Sequence, residues 1–141
     1  MKADILLDAG PLVAYLDRRD GRHAAARTLL LGVRPPFRTC EAVLTEAAWL
    51  LRSLPVAIDA IGTMLRRGAI VVDFSLATEH HSVFALLGRY ANVPMSLADA
   101  CLVRMSELNR EAVVLTFDSD FDVYRRFGRE RIATIGLAED G

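Results

Sequence analysis

Lysine is almost absent from this sequence of 141 residues. Lys2 is the only lysine, and arginine supplies the rest of the 17 basic residues. The sequence has no GxxxxGK(S/T) motif, which excludes a P-loop NTPase. The lack of a later lysine also excludes receiver domains and haloacid-dehalogenase-like hydrolases, because those folds place a buried lysine beside an aspartate for phosphoryl chemistry.

Cysteine, net charge and long apolar runs are scarce as well. Cys40 and Cys101 lie far apart and fit neither a disulfide framework nor a zinc knuckle, which is typical of a reduced compartment. The net charge of −1 excludes a bulk positive field, so any contact with nucleic acid has to be local. No uncharged apolar run reaches the ~18 residues of a membrane span, and Asp4 interrupts the segment where a signal peptide would be apolar. We therefore expect a cytoplasmic protein without a membrane partner.

Short apolar runs alternate along the chain with longer segments of helical periodicity. Strands that are apolar throughout are typical of a parallel sheet covered on both faces. The hydrophobic fraction of 52% excludes a disordered chain, and the length favours a single domain over residues 1–141. We expect an α/β fold with strands over 3–7, 37–40, 69–74, 111–116 and 131–135, and helices over 10–17, 23–31, 41–53, 55–68, 78–90, 96–109 and 119–127.

Acidic residues follow two of the predicted strands directly. Asp8 comes after the first strand, and Asp118 comes after the strand that ends at Thr116, with Asp120 two residues further on. Ligands of open α/β sheets bind beside the carboxyl ends of the strands, so these acids are candidates for one shared crevice. The alternative is that they are helix N-caps or turn aspartates, which are common at such junctions.

Two further acids lie on predicted helices. Glu46 falls at the margin of the apolar face of its helix, so we expect it to be partly buried and to need a partner or a metal. The alternative is a glutamate at the rim that reaches water. Asp99 lies three residues after Ser96, a spacing that fits a capping box, and the positive end of the helix dipole there favours its ionised form.

The four acids are more informative together than singly. If they converge, their mutual repulsion is relieved best by a hard divalent cation with oxygen ligands, such as Mg²⁺ or Mn²⁺. Such a site polarises a phosphodiester and lowers the pKa of a bound water. The histidines His23, His80 and His81 are isolated, and we interpret them as surface or partner residues rather than metal ligands.

Four segments between residue 5 and about residue 121 resemble the PIN-domain family, in particular its VapC-like ribonuclease toxins. They are ILLDAGPLVAYLDRRDGRHAAA, TCEAVLTEAAWLL, PMSLADACLV and LTFDSDF. The resemblance implies a PIN-like three-layer sandwich with a central, mostly parallel sheet flanked by helices. It also implies an acidic metal site made by Asp8, Glu46, Asp99 and Asp118, with Asp120 as a supporting residue and the hydroxyl of Thr116 lining the site.

The same resemblance implies an activity and partners. It implies a Mg²⁺- or Mn²⁺-dependent endoribonuclease that is usually a homodimer and is often neutralised by a small antitoxin. Asp8, Asp99 and Asp118 would hold the metal for in-line hydrolysis, and Glu46 would complete the coordination or orient the attacking water. Because the 2′-hydroxyl need not act, the products would carry a 5′-phosphate and a 3′-hydroxyl.

Two arginine clusters are candidates for RNA contacts. Arg18 and Arg19, with Arg22, follow the first predicted helix, and Arg125 and Arg126, with Arg129 and Arg131, follow the acidic pair. Either cluster could bind phosphates bidentately, or could simply be solvated.

Two other functions stay open from the sequence. One is a noncatalytic PIN-like module that binds RNA or protein, and the other is a metal-dependent hydrolase acting on DNA or small phosphoesters. RNA or protein binding that changes neither with metal nor with substitution of Asp8 would identify the module. A comparison of substrates would identify the hydrolase.

Overall fold

The strands form where the sequence places short, continuous apolar runs. In the first strand Ile5, Leu6 and Leu7 are all buried, as expected for a strand covered on both faces. The computed structural model describes residues 4–137. Its seven strands are β1 (Ile5–Leu7), β2 (Phe37–Thr39), β3 (Ile70–Val72), β4 (Val113–Leu115), β5 (Arg125–Arg126), β6 (Glu130–Arg131) and β7 (Thr134–Ile135).

Five of these strands form one parallel sheet in the order β3-β2-β1-β4-β7. The chain adds β2 and β3 on one side of β1 and later adds β4 and β7 on the other side, so the strand order reverses between β1 and β4. Such a switch point leaves a crevice at the carboxyl ends of the strands. Leu7 is paired with Leu115, and the residues that follow β1 and β4 therefore emerge side by side. The predicted parallel α/β sheet is confirmed.

Helices flank this sheet, and within residues 4–137 there are six of them. They are α1 (Ala9–Leu16), α2 (His23–Gly32), α3 (Glu41–Leu50), α4 (Pro55–Arg66), α5 (Leu76–Arg89) and α6 (Leu97–Leu108). The most deeply buried is α6, in which eight of 12 residues are buried, so this helix forms the centre of the core. In the part of the chain that the structure describes, no helix combines the length and the apolar character needed to cross a membrane.

The predicted helix over residues 119–127 and the predicted strand over residues 131–135 are both wrong in extent. A short 3₁₀ helix covers only Ser119–Asp122, and β5 then pairs with β6 as an antiparallel hairpin. The helix ends early because Arg125 and Arg126 are extended and pair with β6, and the positive φ angles of Phe127 and Gly128 form the turn between the two strands. Arg131 consequently belongs to the hairpin, and only Thr134 and Ile135 pair with β4.

Gly136, directly after β7, is expected not to tolerate a side chain. Its φ is +101°, and an added Cβ would lie 2.6 Å from the backbone oxygen of Thr116. We expect Gly136→Ala to lower the free energy of unfolding by about 1–3 kcal/mol, measured by chemical denaturation. The matched control is Gly62→Ala, within α4, where an added Cβ meets nothing within 4 Å. That control should raise the stability by about 0.5–1 kcal/mol, and an equal loss in both variants would contradict the prediction.

Candidate active site

The switch point between β1 and β4 holds a small cavity of about 260 Å³. Asp8 reaches it from the end of β1 and Asp118 from the loop after β4, while Glu46 comes from α3 and Asp99 from the first turn of α6. The structure thus brings together the four acids on which the sequence prediction rests. We call this space the acidic cavity; its lining residues are Asp8, Gly10, Glu46, Asp99, Phe117 and Asp118.

Thr116 connects the carboxylate of Asp8 to the loop that carries Asp118. Its hydroxyl donates to Oδ2 of Asp8 at 2.6 Å and accepts from the backbone N–H of Asp118 at 3.0 Å. The other carboxylate oxygen of Asp8 accepts from the backbone N–H of Ala9 at 2.8 Å, as an N-cap of α1. Thr116 and Asp8 are both buried, so these bonds fix the orientation of the Asp8 carboxylate.

Asp99 is held by a partner that the sequence analysis missed. The phenol of Tyr124 donates to Oδ2 of Asp99 at 2.9 Å, and the backbone N–H of Asp99 donates to the hydroxyl of Ser96, which caps α6. Tyr124 is fully buried, with Tyr90 and Phe121 packed edge-on against its ring. The apolar Phe121 three residues before Tyr124 is the one signal in the sequence that could have placed this tyrosine inside.

Asp8 and Asp99 are held in an environment that disfavours the charge of their carboxylates. Burial raises the pKa of Asp99 to about 6, contrary to the expectation from the helix dipole and in spite of the hydrogen bond from Tyr124, and the charges of Asp8 and Asp118 add to the increase. Burial likewise raises the pKa of Asp8; the hydrogen bonds from Thr116 and Ala9 oppose this effect. The mutual repulsion indicates that the cavity is short of positive charge.

Glu46 differs from the sequence expectation in one respect. Its side chain lines the acidic cavity, but the residue is exposed rather than partly buried. Desolvation, and the neighbouring charges of Asp99 and Asp118, nevertheless raise its pKa. Glu46 therefore lies at the mouth of the cavity, in contact with water.

The acidic cavity suits a hard divalent cation, because the polar side chains among its described lining residues are all carboxylates. No three acidic, histidine or cysteine side chains within residues 4–137 are arranged to hold one ion together. Mg²⁺ generally keeps several of its waters and takes only one or two protein carboxylates directly, so the residues present fit such an ion. His23 is engaged elsewhere, since its Nδ1 lies 2.8 Å from the backbone oxygen of Ala14.

The other predicted site residues do not line the acidic cavity. Asp120 lies in the 3₁₀ helix that follows Asp118. The backbone oxygen of Asp120 accepts a hydrogen bond from the backbone N–H of Tyr124. The guanidinium of Arg125 donates to the backbone oxygen of Asp122, and that of Arg126 donates to the backbone oxygen of Arg110. These two arginines are therefore bound within the fold.

Arg18 and Arg19 are exposed instead. They border a separate groove of about 600 Å³ next to α1 and α4, and the guanidinium of Arg19 lies 3.8 Å from a carboxylate oxygen of Asp17. Of the four predicted RNA contacts, Arg18 and Arg19 are consequently the better candidates.

Removal of the Thr116 hydroxyl is expected to destabilise the protein. In Thr116→Val the shape is kept, but the partly buried N–H of Asp118 and the buried carboxylate of Asp8 each lose a partner. We expect the free energy of unfolding to fall by about 1–3 kcal/mol, measured by urea denaturation. Thr116→Ser keeps the hydroxyl and should lose less; an equal or smaller loss in Thr116→Val would contradict the prediction that the hydroxyl is the stabilising group.

The family model for the PIN domain matches residues 5–126. This chain therefore belongs to the PIN domain family. It is similar in structure to VapC20 of Mycobacterium tuberculosis, described as a sarcin-ricin loop cleaving toxin, with a TM-score of 0.76 and 22% sequence identity. The match covers 85% of this chain and 94% of VapC20. No curated protein matches the sequence. The predicted family and the predicted fold are both confirmed.

Proposed function

We propose that this chain is a Mg²⁺- or Mn²⁺-dependent endoribonuclease, and that it is the toxin of a toxin–antitoxin pair. The observation that carries this proposal is the acidic cavity, in which four carboxylates from four separate elements converge at the switch point of the sheet. Membership of the PIN domain family and the likeness to an RNA-cleaving toxin support RNA as the substrate.

In this proposal Asp8, Asp99 and Asp118 would hold the metal, one or two of them directly and the others through its waters, with Asp120 in a supporting position. A bound divalent cation would neutralise the scissile phosphate and acidify a water molecule beside it. Thr116 keeps the carboxylate of Asp8 in one orientation, and Tyr124 does the same for Asp99. These two hydroxyls are positioning groups, because they contact the acids and do not line the cavity themselves.

Glu46 is the proposed group that orients the attacking water and accepts its proton. It is exposed at the mouth of the acidic cavity, and its raised pKa brings its basicity closer to neutral pH. The water oxygen forms a bond to phosphorus while the bond from phosphorus to the 3′-oxygen breaks. The 3′-oxygen leaves and takes up a proton, so the products carry a 3′-hydroxyl and a 5′-phosphate.

The test is RNA cleavage by the purified protein with Mg²⁺, with Mn²⁺ and with EDTA. One substrate is a sarcin–ricin-loop hairpin, because the similar VapC20 is described as cleaving that loop. Asp118→Asn removes a lining carboxylate, and Asp122→Asn is the matched control, since Asp122 is an exposed aspartate of the adjacent 3₁₀ helix. We expect metal-dependent cleavage that is lost in Asp118→Asn and kept in Asp122→Asn. Cleavage that survives EDTA or Asp118→Asn would overturn the assignment.

A second candidate function is a PIN-like module that binds RNA or protein without catalysis. The observation in its favour is that no three potential ligands in residues 4–137 already hold the geometry of a metal site. It predicts RNA binding that changes neither with EDTA nor with Asp8→Asn. A parallel assay with a DNA hairpin of the same sequence would also separate a ribonuclease from a general phosphodiesterase.

The proposed partners are RNA, a second copy of the chain and a cognate antitoxin in the cytoplasm. An apolar groove of about 680 Å³ between α2 and α4 supports an antitoxin contact, because Leu31 is 64% exposed there and Val56 is 83% exposed. Exposed apolar side chains on α3 and α5, including Trp49 and Phe84, support self-association. Copurification with the product of the neighbouring gene, and growth arrest without it, would test the toxin assignment.

A further inference from the structure

Arg22 lies against the wall of the acidic cavity. Its Nη1 donates to the backbone oxygen of Phe117 at 3.3 Å, and its guanidinium carbon lies 4.9 Å from the centroid of the Phe117 ring. Phe117 itself lines the acidic cavity and directly precedes Asp118 in the chain. Within residues 4–137, no other arginine side chain is hydrogen-bonded to a residue that lines this cavity.

The backbone of Arg22 is fixed in place by the start of α2. Its N–H donates to Oδ1 of Asp20 at 2.8 Å, and its carbonyl oxygen accepts from the N–H of Ala26 at 2.9 Å. Together with the contact to Phe117, these bonds hold both ends of the Arg22 side chain. Little conformational freedom is left to lose when the guanidinium binds an anion.

The charge of Arg22 is not neutralised by the described part of the protein. The residue is exposed, and no carboxylate of residues 4–137 forms an ion pair with it, whereas Arg38 and Arg104 each pair with two carboxylates. A guanidinium has five N–H donors, and Phe117 uses one of them. Donors therefore remain for a bidentate contact with a phosphate.

We propose that Arg22 binds an RNA phosphate adjacent to the scissile one, with the Phe117 ring as the platform that holds its guanidinium. This inference rests on the proposed function and extends it to a substrate-binding residue. Among the described residues that line the acidic cavity none is cationic, so the phosphates on either side of the scissile bond meet four carboxylates. A divalent ion in the cavity neutralises the scissile phosphate but does not contact the neighbouring phosphates of the RNA. A guanidinium at the rim of the cavity offsets the repulsion at such a neighbouring phosphate.

The test compares Arg22→Ala and Arg22→Lys with the matched control Arg67→Ala. Arg67 is another exposed arginine without an ion-pair partner in the described residues. It caps the end of α4 just before β3 begins, so it lies at the amino ends of the strands, whereas the acidic cavity lies at their carboxyl ends. Binding is measured with Mg²⁺ in the Asp118→Asn background, by fluorescence anisotropy of a labelled sarcin–ricin-loop hairpin. Cleavage of the same hairpin is measured in the wild-type background.

We expect Arg22→Ala to raise the Kd and the KM about 5- to 20-fold with little change in kcat. The plot of log Kd against log salt concentration should become shallower by about 0.7–0.9, the slope of one lost phosphate contact. Arg22→Lys should keep the salt slope, because it keeps the charge, but bind more weakly than arginine. Phe117→Leu removes the ring and keeps the carbonyl oxygen, and should weaken binding by a smaller factor.

Unchanged Kd and salt slope in Arg22→Ala, with normal cleavage by the wild type, would overturn this inference and leave the proposed function intact. An equal effect of Arg67→Ala would also overturn it, because the contribution would then be general charge. A wild-type protein that neither binds nor cleaves RNA would instead remove the proposed function, and this inference with it.

Discussion

Asp99→Asn is expected to abolish RNA cleavage and, at the same time, to make the metal-free protein more stable at neutral pH. The loss of cleavage should be about 10³-fold or greater, because one of the carboxylates proposed to hold the metal is removed. The gain in stability follows from the raised pKa of Asp99, which shows that its ionised form is unfavourable in the fold.

The sign of the stability change depends on pH. The pKa of Asp99 rises from 3.8 in the unfolded chain to about 6 in the fold, so the folded state binds the proton more tightly. This contribution to stability is fully present below pH ~4 and is lost as the pH rises through about 6. The side chain of asparagine stays neutral at every pH. The Asp99→Asn variant should therefore be more stable than the wild-type protein above pH ~6 and equally stable near pH ~4.

The shift corresponds to at most about 3 kcal/mol, and solvent screening reduces this to about 1–2 kcal/mol. Thermal unfolding at pH 7.5 and pH 4.5, with EDTA, measures the difference. The hydrogen bond from Tyr124 is kept in the variant, because the asparagine amide oxygen also accepts. A variant that is inactive and less stable at both pH values would show damage to the fold rather than loss of a charged site group.

Mn²⁺ is expected to stabilise the wild-type protein strongly and to lose this effect as the pH falls through about 6. A divalent ion relieves the repulsion among the acids, and at 100 times its Kd it adds about 2.7 kcal/mol, or roughly 8–12 °C in Tm. The ion competes with the proton on Asp99, whose pKa is about 6 in the metal-free protein. Below that value the apparent affinity should fall about tenfold for each pH unit.

Thermal unfolding in a Mn²⁺ titration at pH 5, 6 and 7.5 measures this coupling. EDTA should reverse the shift in Tm, and Asp99→Asn should bind Mn²⁺ more weakly, with less dependence on pH. Asp59→Asn is the control, because Asp59 is an exposed acid on α4. A shift in Tm that is equal at all three pH values would locate the ion on ordinary surface carboxylates.

The positions of Asp8 and Asp118 could be predicted from the sequence because each follows a strand that is recognisable by composition. Continuous apolar runs identify buried parallel strands, and a residue directly after such a strand lies at the carboxyl edge of the sheet. The pairing of β1 with β4 could not be predicted in the same way. The apolar residues of β1 and of β4 do not specify which strand lies beside them. Only the resemblance to the PIN-domain family indicated that these two strands are neighbours.

Exposure of Glu46 could not be predicted from the apolar face of its own helix. A helical wheel measures which side of α3 is apolar, whereas the exposure of Glu46 is determined by the open space that the neighbouring elements leave. The helix predicted over residues 119–127 failed for a related reason. The turn at Phe127 and Gly128 is stabilised by the pairing of β5 with β6, which is not a local property.

The contacts that support the site join residues distant in sequence. Tyr124 bonds to Asp99 across 25 residues, and Arg22 bonds to Phe117 across 95 residues. Spacing rules for helices and strands extend over a few residues only, so these partners become visible when the fold is known. The capping of α6 by Ser96, three residues before Asp99, is local, and it was predicted correctly.

The hydrogen bond between Asp8 and Thr116 spans 108 residues of sequence, which affects how this protein is made. A ribosome translating the chain produces Asp8 near the beginning and Thr116 only after most of the chain has been synthesised. Until β4 emerges, β1 has no neighbour on that side, and the carboxylates have no common space to line. The acidic cavity therefore cannot form during most of the synthesis of the chain, and any activity that depends on this cavity begins only once β4 has paired with β1.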